Sequence, residues 1–404
     1  MPPLRLMVLT TSYPLTKQSY SGIFVRRMLE HLPDDTHVTV VVPAARTQGV
    51  SPGSSRIVIR PFRYAPKKLQ LLAHDPGGIP VTLRSKPWAF ALLPMFLFSM
   101  LVSCFRHARR ADVIHANWSI CGFVAGIVGK FLRVPVITTL RGEDVTRAHH
   151  NILDRTILSL SLRLGTRIVT VSPSTETWLR KQYPELAHKI NTVENGVGDE
   201  LLNLPEDRFS ASKTPLRLLA VGSLIPRKGI RCIIEAVGRL PDPSHVHLTI
   251  AGSGPQRTSL EQLVMSLHLS ECIEFIGTVE PQSVADLLAR AEVFVLASHS
   301  EGRPNVILEA MAAALPVIAT DIDGVRDIIE HGRTGMLYEA DNSLQLSGHI
   351  ARMCDDEDLR RRLGQTARRW VIQRELSWTN TARRYANLYR ALAGETVAKM
   401  EINS

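Results

Sequence analysis

Strand-length aliphatic runs alternate with helical patterns along almost the whole chain, and this alternation constrains the fold more than any other feature. The runs lie near residues 4–10, 37–42, 112–116, 135–139 and 167–171, then at 216–221, 246–251, 273–276, 292–297, 315–319 and 336–338. The segments between them carry Arg, Glu and Gln in helical patterns, which is how parallel sheets covered by helices present themselves. The pattern breaks after Val193-Glu194-Asn195-Gly196-Val197, because residues 198–214 hold Asp199, Glu200, Pro205, Glu206, Asp207 and Lys213 with little periodicity. We therefore expect an α/β protein of two doubly wound, Rossmann-like domains, at residues 1–197 and 215–375. Residues 198–214 would link them, and 376–404 would add a final helix with Tyr385, Leu388 and Leu392 on one face. A length of 404 residues allows each domain its own core. Residues 45–87, with many Pro, Gly, Ser and basic residues, fit poorly and read as long loops or a short hairpin.

Lys plus Arg number 48 against 38 Asp plus Glu, so the chain favours anionic partners. Phosphates and anionic lipid fit that charge. Nucleic acid does not, because the sequence has no zinc-finger spacing, no aromatic RNA-binding signature and only scattered cations. Five cysteines, at 104, 121, 232, 272 and 354, are an odd number without paired spacing and suit a reducing compartment. The opening residues lack the longer apolar region and cleavage site of a signal peptide and read as a first core strand, which implies a cytoplasmic protein. Trp88 to Phe105 is uncharged for eighteen residues and ends in Arg106-His107-Ala108-Arg109-Arg110. Pro94, Ser99, Ser103 and the adjoining strand-like 112–116 argue against a membrane span. Two compatible readings remain: a helix buried in the N-terminal domain, and an interfacial helix whose basic collar meets an anionic membrane surface.

The most specific chemistry lies in Ser300-Glu301-Gly302-Arg303-Pro304-Asn305-Val306-Ile307-Leu308-Glu309-Ala310-Met311. The run 292–297 before it reads as a buried strand and 305–314 as a helix that ends before Leu315-Pro316. Glu301 is then on a loop and Glu309 within a helix. Carboxylates accept hydrogen bonds from sugar hydroxyls, and the free N–H groups of a helix start suit an anion. Two glutamates eight apart also occur by chance. Here the surroundings, through Pro316-Val317-Ile318-Ala319-Thr320 and Gly332-Arg333-Thr334-Gly335, resemble the E-x7-E signature region of the family 4 retaining glycosyltransferases. Val221-Gly222-Ser223-Leu224-Ile225-Pro226-Arg227-Lys228-Gly229 resembles their diphosphate loop, with Lys228 on the second basic position. Ser223 stands where the first is often Arg, and Arg227 is a candidate substitute.

Weaker likenesses run through the first half. Ser21-Gly22-Ile23 resembles the N-terminal glycine loop of these enzymes, with Tyr13-Pro14 and Tyr20 toward the acceptor. Thr139-Leu140-Arg141-Gly142-Glu143-Asp144 has Arg141 where relatives often carry His, and Asp144 at their acidic position. Asn195-Gly196-Val197 is similar to the family's motif before the linker. Ser172-Pro173-Ser174 follows a strand; both segments are candidates to line the cleft, and a turn is the simpler explanation for each. Gly252-Ser253-Gly254-Pro255 fails as a dinucleotide fingerprint, since Arg257 takes the third glycine's place. Asp321-Ile322-Asp323 has the spacing of a metal pair used by a different glycosyltransferase fold, but it follows a strand where relatives usually carry glycines, so no metal is assigned.

The resemblance implies the GT-B fold, two domains facing across a cleft and closing over the donor, with the last helix crossing back to the first domain. It implies a bacterial, retaining, hexosyltransferase-type enzyme. Such an enzyme moves a sugar from a nucleoside diphosphate sugar, its donor substrate, to a hydroxyl of a carbohydrate or lipid-linked acceptor in envelope polysaccharide synthesis. No cofactor is needed. Glu301, Lys228 and Arg227 would serve the chemistry. Glu309, Gly22, Gly222, Ser223, Gly302, Pro304, Asn305, Val306 and Arg141 would hold the donor. The rival readings are a sugar-nucleotide epimerase or hydrolase and a non-catalytic sugar-nucleotide-binding assembly protein, the latter motivated by Ser223, Arg141 and Ala314.

Overall fold

The computed structural model describes residues 3–16, 19, 21–46, 55–74, 78–205 and 215–402, with side chains described to residue 394. The chain divides into two units, Met1–Asn195 with Trp378–Ser404, and Gly196–Ser377. Each is a parallel sheet covered by helices.

The first unit's strands are β1 (Leu4–Leu9), β2 (Thr36–Pro43), β3 (Ile57–Phe62), β4 (Val113–Asn117), β5 (Val136–Leu140), β6 (Arg167–Thr170) and β7 (Ile190–Thr192). Their order is β3-β2-β1-β4-β5-β6-β7, every pairing parallel. β4 and β5 are buried at every position, as strands covered on both faces must be. The stretch expected to be loops or a hairpin contributes β3, which pairs parallel with β2 and so cannot be a hairpin arm. Its alternation was weak because Val58 to Pro61 face partly outward on an edge strand.

The second unit's strands are β8 (Leu216–Val221), β9 (Val246–Ala251), β10 (Ile273–Gly277), β11 (Val293–Leu296), β12 (Val317–Thr320) and β13 (Met336–Tyr338), ordered β10-β9-β8-β11-β12-β13. In both sheets the order reverses beside the first strand, between β1 and β4 and between β8 and β11. Loops leaving the carboxyl ends of such a strand pair diverge to opposite faces and leave room for a ligand.

Two boundaries differ from the sequence reading. Residues 198–205, expected as linker, belong with the second unit: the helix Asp199–Leu202 packs on the helices Ser283–Arg290 and Asn305–Ala312, and Arg368 donates to the carbonyls of Leu202 (2.6 Å) and Leu204 (2.5 Å). Residues 206–214 lie outside the described residues. The chain rejoins the first unit at Trp378 rather than at 376, since Leu376 and Ser377 pair with Val197 inside the second. The final helix, Trp378–Ile402, buries Trp378, Ala382, Tyr385, Tyr389 and Leu392 in the core formed by β1, β2 and the helix Ile23–Glu30. Burying the larger of these, Trp378, Tyr385, Tyr389 and Leu392, stabilises by about 1.5–3 kcal/mol each.

Pro94 marks where the long apolar stretch divides into a 3-10 turn, Pro87–Leu92, and an α-helix, Leu93–Ala108, with the proline in the first turn, where its missing N–H costs nothing. Phe96, Met100, Cys104 and Ala108 recur every four residues and are buried. Phe96 packs edge-on against Phe62 (5.6 Å) and Tyr64 (4.9 Å), so this helix is tied to its domain.

Candidate active site

Lys228 and Glu301 meet at the reversal point of the second sheet. β8 is followed by Gly222 to Gly229, and β11 by the loop from Ala297 to Pro304. Gly229 has φ +59, and a Cβ there would stand 2.1 Å from the carbonyl oxygen of Ala297, so only glycine lets the two loops touch. Lys228 Nζ donates to Glu301 Oε1 at 2.5 Å, and Arg227 Nη1 lies 3.8 Å from Glu301 Oε2 while donating to the carbonyl of Ser300 at 2.9 Å.

Burial alone would raise the Glu301 pKa. The charges of Lys228 and then Arg227, with the hydrogen bond from Lys228, outweigh it and hold the carboxyl below its ordinary value. The site thus keeps an ionised carboxylate in a nearly closed setting. The Glu301 side chain is 11% exposed, while its cations are more open, Lys228 at 19% and Arg227 at 33%.

The helix Asn305–Ala312 begins four residues after Glu301. Its cap position is Pro304, whose side chain has no oxygen to cap it, in contrast to the helices Pro173–Gln182 and Glu357–Gln373, capped by Ser172 and Asp356. Glu309 is half-buried on this helix, and Gly302, Asn305 and Val306 are likewise half-buried. Arg303 is buried in the same loop, a position the sequence reading passed over. Gly324 backs the loop closely: a Cβ there would come within 2.4 Å of the Glu301 carbonyl oxygen. Gly222 lies under the Lys228 stem, 3.7 Å from where its Cβ would be, and Ser223 is half-buried beside it. Gly252 and Gly254 admit the backbone of Gly222 and Leu224, so that glycine loop supports the lysine loop by packing. Asp321 and Asp323 are both bridged by Arg326, at 2.6 and 3.2 Å.

The first unit holds its own residues differently. Gly22 has φ +72, and a Cβ would collide with the Ser12 carbonyl oxygen at 2.1 Å, so the turn after β1 requires glycine. Tyr13 is buried, and Tyr20 lies outside the described residues. Arg141, expected to offer a donor contact, is 7% exposed and engaged within its own domain. Its guanidinium donates to Asn117 Oδ1 and Asn195 Oδ1, the latter at 3.1 Å, and lies over the Phe24 ring at 4.5 Å. Asp144 accepts from the backbone N–H of Ser119 (3.0 Å) and of Arg141 (3.2 Å). Asn195 therefore serves as an acceptor for Arg141, and Ser172 as a helix cap.

Sequence reasoning missed the adjoining chain of buried groups. His115 Nε2 is 2.8 Å from Thr139 Oγ1, which is 3.0 Å from Tyr385 Oη, while Tyr389 Oη is 2.7 Å from His115 Nδ1. Burial, with the nearby Arg141 charge, lowers the His115 pKa to about 3. Its members come from residues 115, 139, 385 and 389, a separation that leaves no local signal. A histidine inside a fully buried strand was the available hint.

Comparison with known proteins agrees with this architecture. The family described as Glycosyltransferase Family 4 matches residues 21–201, and the family described as Glycosyl transferases group 1 matches residues 205–370. The N-acetyl-alpha-D-glucosaminyl L-malate synthase of Bacillus anthracis is 27% identical over 276 residues, 65% of this chain and 70% of that protein. Among solved structures, sucrose-phosphate synthase from Thermosynechococcus elongatus superposes with a TM-score of 0.77 at 22% identity, covering 97% of this chain and all of that one. Anabaena HepE in complex with UDP and glucose superposes at 0.73 with 18% identity, covering 96% of this chain and 100% of its own. The two family matches meet near the division between the units, and the chain belongs to the family 4 glycosyltransferases and has their GT-B fold.

Proposed function

We propose that this glycosyltransferase is a retaining enzyme that moves a hexosyl group from a nucleoside diphosphate sugar to a hydroxyl acceptor. The observation that carries the reading is the Lys228–Glu301 pair, 2.5 Å apart at the reversal point of the second sheet. A cation pair, Lys228 with Arg227, would hold the diphosphate and offset the charge that grows on it as the glycosidic bond breaks. Glu301, kept ionised, would accept from donor sugar hydroxyls and Glu309 from the ribose. The uncapped start of Asn305–Ala312, with the Gly302 to Val306 backbone, suits an anion or an oxygen-rich ring. HepE, similar in fold, is crystallised with UDP and with UDP-glucose, which favours a nucleotide donor here as well.

In this reading no side chain becomes covalently attached. The acceptor oxygen bonds to the anomeric carbon on the face the diphosphate leaves, and its proton passes to the departing phosphate oxygen. Rate then comes from positioning and charge stabilisation. No metal or cofactor takes part in it. Gly222 and Ser223 would line the phosphate approach, and Gly22 would let backbone come close to a ligand of the first unit. We place the enzyme in a bacterial cytoplasm, peripheral to the inner face of the membrane, with a lipid-linked or envelope polysaccharide intermediate as acceptor. The net positive charge favours such a surface.

The test is transfer from UDP-, GDP- and ADP-hexoses to polyprenyl-linked and soluble saccharide acceptors, with the product's anomeric configuration read by NMR. Retained configuration with one donor, lost in Lys228→Ala, is expected. Donor hydrolysis or epimerisation without any acceptor product, or inverted product, would overturn the reading.

A further inference from the structure

We propose that the 3-10 turn and helix spanning Pro87–Ala108, together with the end of the helix Ser119–Leu132, form a docking face for a bilayer that contains anionic lipid. This rests on the peripheral reading given above and assigns its contact surface. By length and composition Pro87–Ala108 could cross a membrane, yet one face of it is fixed in the first unit's core through Phe96, Met100, Cys104 and Ala108. A helix held that way can only lie along a surface.

Its other face is apolar and open. Trp88, Phe90, Met95, Phe98 and Val102 are exposed, Phe98 at 62%, and Phe131 from the neighbouring helix is 75% exposed. The Phe105 ring joins the two helices, 5.6 Å from Phe131 and with the Arg109 guanidinium 4.6 Å from its centre. On Leu93–Ala108 the exposed positions 95, 98 and 102 continue at the same spacing into Arg106 and then Arg109 beyond its end, so one stripe turns from apolar to cationic along its length. By contrast, the second unit's exposed Met265, Leu267, Leu344 and Ile372 are scattered and need no partner.

Charge decides the occupant. Arg84, Arg106, Arg109, Arg110, Lys130 and Arg133 are exposed, and among the described residues none of them is in an ion pair. Residues 76–111 and 113–135 contain no Asp or Glu at all. Partial burial, and then the charges of Arg60, Arg106 and Arg110, hold the His107 pKa below its ordinary value. The acid between these ranges, Asp112, is already paired with Arg5 at 2.5 Å. Large rings over such a basic rim match the apolar interior and negative headgroups of a membrane surface and would repel a second copy of themselves.

The experiment is co-sedimentation of the full chain with vesicles of phosphatidylcholine alone or of phosphatidylcholine mixed with anionic phosphatidylglycerol. The wild type should bind the anionic vesicles, less so in high salt. Removing each of Arg106, Arg109 and Arg110 should weaken binding about fivefold. Met95→Ser with Phe98→Ser, both at exposed positions, should weaken it at least tenfold (an order-of-magnitude figure for losing two apolar anchors), while Leu344→Ser on the second unit should change nothing. Wild-type binding that the patch variants share would overturn the assigned surface and leave the peripheral reading standing. No binding by a wild type that still binds its sugar nucleotide would sink both membrane statements and spare the donor site. A dimer dissolved by Phe98→Ser, without vesicle binding, would show that a second copy covers the face and would also overturn the proposal.

Discussion

The two units place a cation near the carboxyl end of a parallel strand and then treat it in opposite ways. In the first, Arg141 gives its guanidinium to Asn117 and Asn195 under the Phe24 ring, and His115 is closed in by Thr139 and Tyr389. In the second, Lys228 and Arg227 share one carboxylate and stay partly open to solvent. A buried cation with neutral amide partners is costly to move, because moving it would strand several polar groups. The Lys228 ammonium, half-open on the Glu301 carboxylate, could exchange that partner for a phosphate. The difference teaches that sequence position beside a strand end does not tell a buried, amide-bonded cation from a half-open, carboxylate-paired one; the partners do.

The largest effect should come from the second unit. Lys228→Ala should lower the transfer rate about 10²–10³-fold, the usual loss for one charge-stabilising donor, with a folded protein by circular dichroism; near-normal turnover would remove Lys228 from the chemistry. Arg141→Ala should act on the fold, costing about 3 kcal/mol in urea unfolding by leaving buried amide oxygens without donors. The folded fraction of that variant should still bind donor, and normal stability with lost donor affinity would reverse the comparison.

Acid should reach the two places at different pH. A histidine kept neutral in the fold takes its proton only on unfolding, so the His115 contribution is full above about 6.5 and declines by about 1.4 kcal/mol per pH unit below it. Between pH 6.5 and 5 the wild type should lose about 2 kcal/mol that His115→Gln does not lose. Glu301, whose pKa is depressed, stabilises above its ordinary 4.5 and loses that contribution only as pH falls below it. Urea titrations of wild type, His115→Gln and Glu301→Gln across that range separate the two; a Glu301 effect already present between pH 6.5 and 5 would break the assignment. The smallest effect concerns Ala314, at φ 55 where a helix ends. Ala314→Gly should relieve that backbone and raise stability by about 0.5–1 kcal/mol, measured as a shift in Tm, with no change in turnover.

The sequence made most of the architecture readable because buried parallel strands are written as short continuous apolar runs, and eleven of the thirteen strands among the described residues came from such runs. β3 and β7 escaped, one a partly outward-facing edge strand, the other three residues long. The Glu301 loop and the Lys228 loop were legible because glycine and charge cluster locally there. That they touch was not, since residues 228 and 301 are joined only by the order of β8 and β11. The hydrogen bonds of Arg141 were also out of reach, because Asn117 and Asn195 carry no mark of their pairing. The stretch from 88 to 110 was read both as a packed and as an interfacial helix, and the structure gives it a buried face and an open one.

The most direct test of the central claim is calorimetric titration of the full chain with UDP-, GDP- and ADP-sugars, run beside Lys228→Ala and Glu309→Ala. One donor that binds the wild type and is lost or weakened at least tenfold in both variants (about 1.4 kcal/mol or more) is the expected result. No donor bound by a demonstrably folded wild type, or equal binding by all three proteins, would contradict the assignment of the donor site to the Lys228–Glu301 end of the second sheet.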